Sequence, residues 1–152
     1  MVKIKKGDIL ECTESIIIHQ VNCQGRMGSG VALGIKLKYP EVYKKYSDVC
    51  SDLENNILIG CYQEVSTSDC KIVINMFSQD KYGYDGKRYT NYIGFTRAFS
   101  NILYEYNNTK NNDIAIPYKI GCCRGGGDWN KIYQYINLVS EDYSGNIVIY
   151  KI

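Results

Sequence analysis

Three short runs in this chain are apolar at every position instead of at alternate ones: Ile16-Ile17-Ile18, Ile72-Val73-Ile74 and Ile147-Val148-Ile149. A strand with one wet face alternates apolar and polar residues. Continuous β-branched runs therefore predict strands covered on both faces, the pattern of central strands in a layered α/β sheet. Shorter strands are expected at residues 2 to 5, 57 to 61 and 113 to 116. Between the strands the apolar spacing changes to that of helices, over Val31 to Leu37, Pro40 to Val49 with proline in the first turn, Tyr92 to Tyr106, and Trp129 to Val139. Strands alternating with helices predict an α/β sheet covered on both faces. The ligand site of such a sheet belongs where strands end and glycine loops begin.

A chain of 152 residues can bury roughly 68–70% of its unfolded surface, which suffices for one core. No repeat or Gly/Ser-rich linker divides it, and it holds only two prolines, so residues 1–152 read as a single domain. Charged residues make up 22% and hydrophobic ones 45%, which excludes a disordered or fibrous chain. The net charge is only +2, and the densest basic stretch, Lys3-Ile4-Lys5-Lys6, reads as an exposed edge strand, so there is no strong nucleic-acid signal. No apolar run approaches the ~20 residues of a membrane span.

Seven cysteines occur, at positions 12, 23, 50, 61, 70, 122 and 123, and no two of them have the spacing of a zinc knuckle. With His19 as the sole histidine, no structural metal site is expected. The start Met1-Val2-Lys3-Ile4-Lys5-Lys6 lacks the apolar stretch of a secretory signal, so the thiols are expected to be reduced and the protein cytoplasmic.

The glycines concentrate in two segments, each after a strand and before a helix. One is Asn22-Cys23-Gln24-Gly25-Arg26-Met27-Gly28-Ser29-Gly30; the other is Gly121-Cys122-Cys123-Arg124-Gly125-Gly126-Gly127-Asp128. Glycine tolerates positive φ and lets backbone N–H groups converge on phosphate oxygens at a helix start. The same residues also make ordinary tight turns. Neither segment has the glycine order of a dinucleotide fingerprint, and no Gly-Lys-Ser/Thr follows either one, so Rossmann and P-loop readings are demoted. The two together predict a nucleotide diphosphate held between them.

The stretches Gly7-Asp8-Ile9-Leu10, Ile17 through Ala32, Ile116-Pro117-Tyr118-Lys119-Ile120-Gly121-Cys122 and Ile147-Val148-Ile149-Tyr150 resemble the macrodomain family, in the family's order along the whole chain. The likeness is greatest to the branch of ADP-ribose-1''-phosphate phosphatases and the terminal ADP-ribose protein glycohydrolase. The helix from Tyr39-Pro40-Glu41 through Tyr46 to Val49-Cys50 leans toward the phosphatases. This resemblance implies a three-layer α/β/α fold around a mixed, mostly parallel sheet, and a monomeric hydrolase without cofactor or metal. Its ligand would be ADP-ribose or a phosphorylated derivative, free or on a modified protein or nucleic acid, or the chain could only bind such a nucleotide.

Position by position, the resemblance implies that Asp8 and the Ile9 N–H read adenine, with Tyr150 or Ile152 bordering it. Asn22 and Gly28, Ser29, Gly30 and Val31 would meet the distal ribose and diphosphate. Lys119, Ile120, Gly121, Cys122, Cys123, Arg124, Gly125, Gly126 and Gly127 would cover the phosphates from the other side. Each assignment has a plainer counterpart: Asp8 as a turn residue, Tyr150 as packing, the two cysteines as fillers of space, Arg26 and Arg124 as solvated cations. The glycohydrolase branch uses a lysine where this chain has Ser78 or Gln79, and an aspartate where it has Gly125. A lysine-dependent covalent route is therefore not expected. Asp128 could replace the missing carboxylate or could cap the following helix. His19, which the phosphatase branch shares, could handle a proton at the distal phosphate or could fix the loop.

Overall fold

The computed structural model describes residues 1–81, 85 and 87–152. Its sheet has six strands: β1 (Val2–Lys6), β2 (Ile16–Asn22), β3 (Tyr62–Ser66), β4 (Ile72–Gln79), β5 (Ile114–Pro117) and β6 (Ile147–Lys151). Their spatial order is β1-β6-β5-β2-β4-β3, and every neighbouring pair is parallel except the antiparallel β3–β4 pair. The helices are α1 (Gly30–Lys38), α2 (Pro40–Asp52), α3 (Asn55–Leu58), α4 (Tyr92–Tyr106) and α5 (Trp129–Val139), and a 3₁₀ turn covers Ile9–Glu11.

The fully apolar runs divide residue by residue between two cores. Ile17, Val21, Val73, Phe77, Ala115 and Val148 pack with Ile35 of α1 and with Val42 and Tyr46 of α2. Their sequence neighbours Ile16, Ile18, Ile74, Met76, Ile114 and Ile149 pack with Phe95, Phe99 and Ile102 of α4 and with Ile132 and Ile136 of α5. Both faces of the sheet are thus apolar and both are covered, which gives the three-layer α/β/α arrangement. Among the described residues no helix is long and apolar enough to cross a membrane.

One expected element differs. Residues 57 to 61 form no strand: Ile57 and Leu58 close the short α3, and Gly60 turns the chain at φ +88 before β3 begins at Tyr62. A single helical turn suffices to bury Leu58 while Ile57 stays 54% exposed. The true strand, Tyr62-Gln63-Glu64-Val65-Ser66, is largely polar because it lies at the sheet edge.

Since β2 lies between β5 and β4, the segments that follow β2 and β5 emerge side by side at the same sheet edge. The first leads into α1, and the second into α5.

Candidate functional site

A cavity of about 480 Å³ opens at these carboxyl ends, between the two glycine segments. From the first segment its wall takes Asn22, Arg26, Gly28, Ser29 and Gly30, with Val31 just after it; from the second it takes Gly121, Cys123, Arg124 and Gly125, with Lys119 and Ile120 just before it. The floor is the end of β2, His19 to Val21, with Gln79 from β4 and Pro117 and Tyr118 from β5. Arg26, Lys119 and Arg124 bring three cations, and among the described residues of the wall there is no carboxylate. Such a wall attracts an anion.

The first segment is scaffolded from beneath by side chains. The Asn22 carboxamide oxygen accepts from the backbone N–H of Gln24 at 3.0 Å and of Arg26 at 3.3 Å, and its amide nitrogen donates to Arg26 O at 2.8 Å. The buried Tyr46 hydroxyl lies 2.7 Å from that same oxygen and accepts from the Arg26 N–H at 3.0 Å. Burial pushes the Tyr46 phenol well above its ordinary range, so it stays neutral. Above this scaffold Gly28 and Gly30 are free of neighbours: a Cβ on either would meet nothing within 4 Å. Gly30, at φ +60, opens α1, whose leading N–H groups have no partner within the helix.

The second segment is built the opposite way. A Cβ on Gly125 would lie 2.2 Å from Thr90 Oγ1, and one on Gly126 2.3 Å from Lys87 O. The N–H groups of Gly126, Gly127 and Asp128 already donate to Cys123 O, Gly121 O and the Tyr92 hydroxyl. Gly126 and Gly127, expected at the phosphates, pack instead against the chain itself, and the cavity wall stops at Gly125. Cys122 turns into the α4/α5 core, donates to Ile120 O at 3.4 Å, and has its thiol pushed up to about 11 by burial, so it is no thiolate. Cys123 is exposed at the cavity wall. The rings of Tyr118 and Trp129 meet edge-on, their centroids 5.0 Å apart. Asp128 is exposed and its Oδ1 accepts from the Asn130 N–H at 3.0 Å, the geometry of an α5 N-cap.

His19 is 1% exposed, and its Nε2 lies 2.7 Å from Asn75 Oδ1. Asn75 donates to Gln63 Oε1, and Gln63 donates to the Lys45 backbone oxygen. A carbonyl can only accept, so this in-register line fixes each amide in turn and leaves Nε2 as the protonated ring nitrogen. Burial lowers the imidazole to about 4, hence it is neutral near pH 7 and not a proton donor there. The expectation that His19 protonates a leaving oxygen does not fit this environment.

The residues expected around adenine form a separate group. Asp8 is exposed, and its Oδ1 accepts from the Leu10 N–H at 2.9 Å. Ile9 and Tyr150 are buried, the Tyr150 hydroxyl donating to Glu14 Oε1 at 2.6 Å, while Ile152 is exposed past the end of β6. Gly7 links them by donating to Lys151 O at 2.9 Å. None of these lines the cavity among its described residues, but Leu10 would lie 2.8 Å from a Cβ on Gly34 of α1, so the group adjoins the helix of the first segment.

Sequence reasoning singled out Gln79 only as a residue in place of a family lysine, and it missed Gln20 in the floor. The signal was a polar residue following the apolar run of β2 and another closing that of β4.

A doubly covered, mostly parallel sheet with a cationic cavity between two glycine segments defines a three-layer α/β/α domain. A family model described as Macro domain matches residues 18–136, and the chain belongs to that family. It is 28% identical to the DNA ADP-ribosyl glycohydrolase of Mycobacterium tuberculosis over 137 residues, 88% of this chain and 37% of that protein. It is 32% identical to the ADP-ribose 1''-phosphate phosphatase of Saccharomyces cerevisiae over 85 residues, 51% of this chain and 48% of that protein. The chain thus spans less than half the length of these relatives. In fold it is similar to the macrodomain of Mycobacterium tuberculosis DarG, with a TM-score of 0.84 at 24% identity over 100% of this chain and 98% of the other. It is also similar to Thermosipho africanus DarTG in complex with ADP-ribose, with a TM-score of 0.78 at 20% identity over 97% of this chain and 41% of the other.

Proposed function

We propose that this chain binds the ADP-ribosyl unit between its two glycine segments and hydrolyses the bond at the distal ribose, releasing phosphate from ADP-ribose-1''-phosphate. The observation that carries this reading is the cavity wall, with Arg26, Lys119, Arg124 and the start of α1 and without a carboxylate among its described residues. Water would attack phosphorus and the bond from phosphorus to the ribose oxygen would break, a proton of that water passing to the ribose oxygen while the cations and N–H donors hold the charge on the phosphoryl oxygens. Asp8, the Ile9 N–H and Tyr150 would receive adenine beside α1. His19, neutral in the floor, would serve as a positioning residue, and Asp128 chiefly as a helix cap. We take the chain to act as a monomer in the reducing cytoplasm, with its seven cysteines as free thiols.

A second reading, removal of ADP-ribose from DNA or protein, is favoured by the longer match to a DNA ADP-ribosyl glycohydrolase, 88% of this chain. Against a covalent route, the end of β4 offers a serine and an amide and no amine. Purified protein assayed on ADP-ribose-1''-phosphate, an ADP-ribosylated oligonucleotide and an ADP-ribosylated protein separates the two. Phosphate release from the first substrate alone supports the proposal. ADP-ribose release from the others transfers it to the second reading, and binding without turnover leaves a recognition module.

A further inference from the structure

Beneath the second segment runs a line of polar side chains that neither the glycines nor the cations explain. Ser78, Gln79 and Thr90 are all at most 6% exposed. The β2–β4 pairing slips here: Val21 faces Phe77 and Asn22 faces Gln79, leaving Ser78 as an extra residue. Such a bulge re-aims side chains. Ser78 Oγ donates to Gln20 Oε1 at 2.6 Å, and Gln20 Nε2 donates to Gln79 Oε1 at 3.0 Å and to Thr90 Oγ1 at 2.9 Å. The outer ends are backbone carbonyls, with Thr90 Oγ1 donating to Gly121 O at 2.7 Å and Gln79 Nε2 to Lys81 O at 2.6 Å.

Those carbonyls fix the polarity. The single Thr90 hydroxyl proton goes to Gly121, so its oxygen must accept from Gln20. The Gln79 nitrogen is drawn to Lys81, so its oxygen faces Gln20. The line therefore has one satisfied arrangement. The line holds the second segment at Gly121, and the backbone beside Thr90 holds it at Gly125, whose O accepts the N–H groups of Tyr89 at 2.7 Å and Thr90 at 2.9 Å. Gly121 and Gly125 bound the part of that segment that lines the cavity.

We infer that Gln20 and Thr90 are positioning residues, which hold Gly121 to Gly125 in the conformation that receives the phosphates. For the identity of the ligand this rests on the function proposed above; the mechanical role does not.

Thr90→Val removes the hydroxyl at nearly constant volume, leaving one Gln20 Nε2 hydrogen without a partner and Gly121 O with only the Gly127 N–H, whereas Thr90→Ser keeps it. In ligand-free protein, amide hydrogen exchange over residues 121–125 should accelerate about tenfold in the valine variant and stay parental in the serine variant, with β2 and β5 unchanged in both. ADP-ribose affinity should fall about tenfold in the former and recover in the latter. Parental exchange in Thr90→Val, acceleration spread equally over the central strands, or failure of serine to rescue overturns the inference. Should Thr90→Val not fold, Gln20→Met is put to the same test. If exchange behaves as expected but the parental protein binds no ADP-ribose, the function falls and the positioning role stands.

Discussion

The two glycine segments look interchangeable as sequences and are opposite as structures. In the first, Gly28 and Gly30 face open space while Asn22 and Tyr46 brace the backbone from below. In the second, Gly125 and Gly126 are pressed against Thr90 and Lys87, and the segment is held by close backbone contact. Glycine serves two purposes, approach to a ligand and approach to the chain itself. Only a structure tells which one a given glycine performs.

The contrast breaks most sharply at Gly126. Gly126→Val should destabilise the fold by about 4 kcal/mol, combining strain at φ +65 with a side chain driven into Lys87 O. Urea unfolding measures this, and parental stability would show the second segment to be as open as the first.

Beneath the first segment, His19 predicts an acid limb of stability worth up to about 3 kcal/mol. Its folded pKa of about 4 lies below the ordinary 6.5, so the unfolded chain takes up the proton first. The contribution is complete above pH 6.5, declines as pH falls from 6.5 to 4, and levels off below that. His19→Gln should flatten this limb in urea titrations across that window.

Gly28→Glu sharpens the comparison from the other side. A carboxylate placed in open space beside the anion site should weaken ADP-ribose binding at least about 100-fold, near 2.7 kcal/mol, while stability moves by less than about 0.5 kcal/mol. Calorimetry and thermal unfolding on one sample decide it, and retained affinity would put the ligand elsewhere. The smallest effect is expected for Tyr46→Phe, which removes one brace of the first segment and should lower stability by about 1.5 kcal/mol. No change would mean that Asn22 alone carries that segment.

The layered fold was readable because Ile16 to Ile18 and Ile147 to Ile149 are apolar on both strand faces, a purely local pattern. The site was readable as a place, since glycines after β2 and β5 announce themselves. The role of each glycine was not, because what presses closest on Gly125 and Gly126 is Thr90 and Lys87, far away along the chain. The polar edge strand β3 was missed for want of an apolar signal, and Gln20 and Thr90 because nothing local marks two polar residues as hydrogen-bonding partners. His19 looked like an acid only while its burial was unknown.

The lone tryptophan of the chain, Trp129, begins α5 with its ring against Tyr118, which in turn borders the cavity. Indole emission reports on whatever touches the ring, so this contact makes the protein its own optical gauge of the second segment. Ligand entering beside Tyr118 should change the emission without any added dye, and Trp129→Phe should silence the signal against a background of fifteen tyrosines.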